Sequence, residues 1–166
     1  MNITTHFLKD DGTFPNNEFL PLIIYLGVFD QDNDANSIEK RFSKHSWGNS
    51  WHNGIFSYHH YHSTAHEVLA VYQGSVKVQF GGSKGIIADL QAGDAVVIPA
   101  GVVHKNLQSS SDFSCVGAYP PNQNYDMNYG KIGERPAADK NIRKVPLPVT
   151  DPIEGAIGAL IQHWKH

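Results

Sequence analysis

A chain of 166 residues with 13 basic and 16 acidic side chains carries a formal charge of −3, and its length suits one domain that needs no covalent staples. No Lys/Arg run breaks this balance, which argues against nucleic acid or an anionic membrane surface as a partner; "KNIRK" (140–144) reads as a solvated loop. The single cysteine, Cys115, rules out an internal disulfide and fits a reducing, cytoplasmic setting, and no stretch approaches the roughly 20 apolar residues of a membrane span.

The opening "MNITTHFLKDDG" has no basic region followed by an apolar run, so no signal peptide is expected. "PLIIYLGVF" (21–29) reads as a buried or edge strand. After the polar break "DQDNDANS" (30–37), Asn36 or Ser37 is placed to cap a short helix through "IEKRFSKH". From about residue 51 the rhythm changes to short β-like runs: "GIFSYHHYH" (54–62), "EVLAVYQG" (67–74), "SVKVQF" (75–80), "GIIADL" (85–90), "DAVVIP" (94–99) and "DFSCVGAYP" (112–120). "GGSKG" (81–85) and "PAG" (99–101) are turn signals between them, and regular short strands joined by tight turns predict an antiparallel sandwich or barrel. Past Tyr119 the pattern stops, and a long Pro-, Asn- and Gly-rich segment is expected to wrap the surface or close over a site. Asp151, Pro152 and Glu154 then read as the N-cap, first position and capping-box partner of a C-terminal helix. Ile153, Ile157, Leu160, Ile161 and Trp164 would form its apolar stripe, with Gly155 and Gly158 lowering its stability.

Strand alternation sorts the histidines of "HHYHSTAHE" (59–67). If 54–62 is a strand, Phe56, Tyr58, His60 and His62 share one face, while His59 and Tyr61 point the other way. Glu67 opens the next run in parity with Leu69 and Val71, which places a carboxylate on a core face. That is costly unless the group is paired or bound to a cation. His104 follows a buried strand and a turn that can bring it alongside. Three imidazoles and one carboxylate suit a borderline divalent ion such as iron, manganese, nickel, copper or zinc; the bland alternative is a satisfied polar cluster. His66, next to Glu67, is expected to face away, at the surface or a dimer contact.

Phe56, Tyr58, Val71, Val78, Val97 and Val102 are candidates to line a cavity beside the ion. Tyr58 is the catalytic candidate, since a buried hydroxyl needs a partner and could orient a substrate or a bound water. Asp126, in the segment after Tyr119, is a second group able to move protons. Tyr119, Asn124 and Tyr125 either cap the mouth or simply pack; Trp47 and Trp51 are read as packing or subunit contacts, and Cys115 as a small buried hydrophobe.

The stretch 54–74 resembles the first motif of the cupin family, G-x5-H-x-H-x4-E-x6-G, with Gly54, His60, His62, Glu67 and Gly74 in place. The stretch 93–104 resembles the second, G-x5-P-x-G-x2-H, through Gly93, Pro99, Gly101 and His104; Gln108 stands where that motif ends in Asn. "WGNSWHNG", "GAYPP" and "DPIEGAIG" look like small single-domain bacterial cupins of the YjlB type. The resemblance implies an all-β antiparallel jelly-roll (double-stranded β-helix) barrel with a short C-terminal helix. The barrel would span about 51–120, the N-terminal strand and helix 20–45, and the C-terminal wrap and helix 120–166. It also implies a divalent metal (iron, manganese, nickel or zinc) held by His60, His62, Glu67 and His104, and frequent homodimers. The function implied is a metal-dependent dioxygenase or isomerase acting on a small polar or anionic molecule. A non-catalytic ligand-binding cupin and a purely structural metal are the alternatives.

Overall fold

Leu22, Ile23, Ile24 and Tyr25 are all buried, so the run at 21–26 has apolar neighbours on both of its faces, as a central strand of a doubly covered sheet requires. The computed structural model describes residues 1–31 and 33–165. Among them the chain forms β1 (Asn2–Leu8), β2 (Asn17–Leu26), α1 (Ala35–Lys44), β3 (Gly48–Asn53), β4 (Glu67–Gln73), β5 (Ser75–Phe80), β6 (Ile86–Gln91), β7 (Ala95–Ile98), β8 (His104–Ser109), β9 (Ser114–Tyr119), α2 (Ala137–Lys144) and α3 (Ala159–His163). No helix among the described residues is long and apolar enough to cross a membrane.

Every strand pairing is antiparallel. Six strands form one sheet in the order β1-β2-β7-β4-β9-β3, and three form another in the order β6-β5-β8. Alternate residues divide into two cores. Leu22, Ile24, Leu69, Val96 and Ile98 point inward and meet Val76, Val78 and Phe80 of the small sheet. Ile23, Val68, Val97 and Val116 point outward and are covered by Ile38 and Phe42 of α1 and Leu160 of α3. The expected all-β jelly-roll barrel with a short C-terminal helix is therefore the fold. Val97 belongs to the helix-covered layer rather than to a cavity.

Two motif glycines are demanded by geometry. Gly74, at the turn from β4 to β5, has φ +72°, and a Cβ there would lie 2.3 Å from the Ser110 hydroxyl. Gly101, with φ +96°, would place one 2.4 Å from the Asn16 carbonyl oxygen.

Several local expectations are corrected. Residues 54–62 are not a strand: His60 and Tyr61 make single bridges, to His104 and Asn128. The segment passes from β3, at the edge of the large sheet, to the edge of the small one, so no partner strand runs beside it. Strands β1, β3 and β8 lie outside the expected runs. Asp34, not Asn36 or Ser37, caps α1, its carboxylate accepting the Ser37 amide at 3.0 Å. The segment after Tyr119 contains α2, which includes the "KNIRK" stretch.

The C-terminal helix begins later than the capping signal suggests. Asp151 makes its Asx contacts to the Ile153 and Glu154 amides, at 2.7 and 3.0 Å. Gly155, at φ +73°, then closes the turn back onto Asp151 and stops the helix. The second Asp151 oxygen accepts from the Tyr25 hydroxyl at 2.5 Å and from the Leu160 amide at 2.9 Å. The buried carboxylate thus ties β2 to α3.

Candidate metal centre

His60 and His62 sit in the connection between β3 and β4, Glu67 begins β4 and His104 begins β8. A pair of backbone bonds, His60 N–H to the His104 carbonyl at 3.1 Å and the reverse at 2.9 Å, locks the connection to β8. The turn before β8 is pinned twice. The Gly101 amide donates to the His62 carbonyl at 2.8 Å, and the Ala100 amide to His66 Nδ1 at 2.9 Å. These contacts bring residues from both sheets to one end of the barrel.

Donor atoms of His62, Glu67 and His104 lie within 4.8 Å of one another, and all three residues are buried. Nε2 of His62 is 3.5 Å from one Glu67 oxygen, and Nε2 of His104 is 3.6 Å from the other. His60 is outside that trio by donor distance, but its ring centroid is 4.1 Å from that of His104 and 6.2 Å from that of His62. Each imidazole is oriented the same way. Nδ1 of His60 faces the Tyr58 carbonyl at 3.0 Å, that of His62 the Asp126 carbonyl at 2.7 Å, and that of His104 the Val102 carbonyl at 3.1 Å. A carbonyl only accepts, so each Nδ1 carries a proton, and each ring turns its Nε2 toward the cavity.

Glu67 is 2% exposed. Burial alone would raise its pKa, yet the rings of His62 and His104 overcome this and hold the carboxyl below the usual range. His62 responds in kind: burial favours its neutral form, but the Glu67 carboxylate outweighs it and raises the pKa. Burial, reinforced by His104, lowers His60 to about 3. Without an ion the cluster therefore keeps its carboxylate charged by sharing a proton with His62. A divalent cation would satisfy the same carboxylate and three lone pairs together, so the donor set fits such an ion.

The cluster lies at the inner end of a cavity of about 380 Å³. Its walls include Ile55, Phe56, Leu69, Tyr119, Tyr125 and Met127, with Trp51 beside Tyr119. Phe56, Tyr119 and Tyr125 match the expected lining and mouth. Tyr58 is 45% exposed and outside the lining, stacked on Phe56 at 4.9 Å. Val71, Val78 and Val102 are barrel core away from it. Asp126 is bound to the Ser63 amide and hydroxyl, at 2.6 and 2.5 Å.

His66 is corrected from a surface residue to a buried one, 1% exposed and packed on Trp164 at 4.7 Å. It does face away from Glu67, but that side of the large sheet is covered too. Trp51, expected to pack or to make a subunit contact, packs against the inner core, and its Nε1 also donates to the Tyr119 hydroxyl at 2.8 Å, near Glu67. Its indole lies flat on Gly117, where a Cβ would come within 2.3 Å of the ring. Only the pairing of Trp51 with Gly117 across β3 and β9 reveals this, and no local signal announces it.

A jelly-roll barrel that gathers imidazoles and one carboxylate at its open end defines the class, and the chain belongs to the cupin family, described simply as Cupin, whose profile matches residues 50–126. Across 160 residues it is 46% identical to Uncharacterized protein YjlB of Bacillus subtilis (strain 168), an alignment covering 96% of this chain and 95% of that one. Among solved structures it is similar to acireductone dioxygenase from Bacillus anthracis, at 16% identity and TM-score 0.43, over 57% of this chain and 64% of the other. It is also similar to dTDP-6-deoxy-D-glucose-3,5-epimerase from Legionella pneumophila, at 15% identity and TM-score 0.41, over 75% and 74%. Likenesses of this extent say nothing about chemistry.

Proposed function

We propose that the barrel holds one divalent metal ion, of iron, manganese, nickel or zinc, through Nε2 of His60, His62 and His104 and the Glu67 carboxylate, and uses it on a small molecule in the cavity. The observation that supports this best is the Glu67 carboxylate, buried and charged among three imidazoles whose Nδ1 protons all go to backbone carbonyls. Such an ion, when bound, supplies Lewis acidity toward a carbonyl or a centre for dioxygen chemistry, in keeping with a dioxygenase or an isomerase.

The chain's own residues orient the ligands, shut out water with aromatic walls and hold the protons. Tyr119, held by Trp51 Nε1 at 2.8 Å, keeps its hydroxyl near Glu67. Tyr58 lies outside the cavity, stacked on Phe56, and we confine any catalytic role for it to contact with a molecule that extends over that ring. A second reading, non-catalytic ligand binding, is favoured by one observation: beyond the proposed ligands, no carboxylate, lysine or arginine lines the cavity among the described residues, and His52 is paired with Glu39. A homodimer, implied by the family resemblance, belongs to the same reading, and light scattering should give twice the monomer mass.

Elemental analysis tests the ligand set. His62→Ala, His104→Ala and Glu67→Gln should each lose most of the bound metal, as a lost ligand weakens binding, and His60→Ala should lose a large part. An unchanged metal-to-protein ratio in all four variants would refute the proposal.

A further inference from the structure

We infer that the cavity takes a monoanionic oxygen chelator with a flat, apolar body, and discriminates against phosphorylated or otherwise polyanionic molecules. The inference rests on the metal reading above and adds the class of ligand. A divalent ion brings two positive charges and Glu67 one negative, while the neutral imidazoles add none. One positive charge remains, and no lysine or arginine lines the cavity among the described residues. A ligand with a single negative charge cancels it. A second negative charge would be buried without a partner, an unfavourable arrangement in a low-dielectric site.

The walls indicate the rest of the molecule. Nε1 of Trp51 is already paired with the Tyr119 hydroxyl at 2.8 Å, and that hydroxyl lies near Glu67. The Trp51 indole therefore presents ring surface rather than a hydrogen bond. Tyr119 and Tyr125 are stacked at 4.8 Å with 21° between their planes, an aromatic pair beside His62. Ile55, Leu69 and Met127 add apolar surface, with His52 and Asn53 as the polar part of the rim. At about 380 Å³ the space is at the small end for a ligand pocket and suits one ring with a short chelating arm.

The test uses the full chain reconstituted with zinc(II), its zinc content checked by elemental analysis, and titrated calorimetrically with 3-phenyllactate, lactate and 3-phosphoglycerate. All three offer an α-hydroxy acid or a comparable oxygen pair; only the first adds a ring and only the last a phosphate. Burial of the ring should make 3-phenyllactate bind at least about tenfold tighter than lactate, and 3-phosphoglycerate should bind more weakly than lactate. Tyr125→Ala should shrink the preference for the ring while leaving zinc content unchanged. With zinc in place, equal binding of the first two, stronger binding of 3-phosphoglycerate, or no binding of any overturns the inference alone. Protein that takes up no zinc overturns the metal reading and the inference together.

Discussion

The indole of Trp51 rests where a methyl group on residue 117 would have to be, 2.3 Å from the ring. Gly117→Ala should therefore push Trp51 off the sheet, break its bond to Tyr119 and cost about 1–3 kcal/mol as an overpacked site. A changed tryptophan emission with a lower denaturation midpoint is the expected readout, and unaltered values would contradict it. The gathering of His62, Glu67 and His104 is legible at this scale because few reasons exist for a carboxylate to share a core face with Leu69 and Val71. His66 was half legible: alternation correctly turned it away from Glu67, but could not show that Trp164 covers the far side of the sheet. The pairs Trp51–Gly117 and Trp51–Tyr119 join residues more than sixty positions apart, and only tertiary pairing puts them together.

At the scale of elements, strands β4 to β7 and β9 are readable because turn residues punctuate an alternating pattern, whereas the polar run of β8 carries no such signal. The connection 54–62 was not, since its side chains alternate well enough while its backbone bonds go to single partners rather than to a strand. Helix α3 shows local signals competing with tertiary ones. Asp151 has the form of an N-cap, yet its second oxygen is taken by Tyr25 and the Leu160 amide, which holds the chain in a turn before the helix starts. Asp151→Ala strands several buried donors and is expected to destabilise the fold by roughly 3 kcal/mol or more. Tyr25→Phe, which loses one bond, should cost about 1–2 kcal/mol. Chemical denaturation of both variants checks the ranking, and an Asp151→Ala variant as stable as Tyr25→Phe would contradict it.

Across the whole molecule, buried histidines link folding to pH. In the metal-free protein burial holds His60 and His66 near 3, against an ordinary 6.5. Below about 6.5 the unfolded chain takes up these protons while the folded one does not, so stability is full above that pH and falls as it drops toward 3. His62 has the opposite sign, since its raised pKa stabilises the fold below 6.5 and that contribution fades as pH rises through the folded value. His66→Gln should flatten the acid limb by one proton, about 1.4 kcal/mol per pH unit; an unchanged slope of stability against pH would contradict this. An ion that binds only the folded barrel should raise Tm, and chelation should lower it. The central claim, one cation shared by groups from both sheets, is tested most directly by anomalous diffraction at the metal edge from crystals of metal-loaded protein. The account predicts a single strong peak about 2.0–2.3 Å from Nε2 of His60, His62 and His104 and from a Glu67 oxygen. A peak elsewhere, or none in the cavity of demonstrably loaded protein, would contradict it.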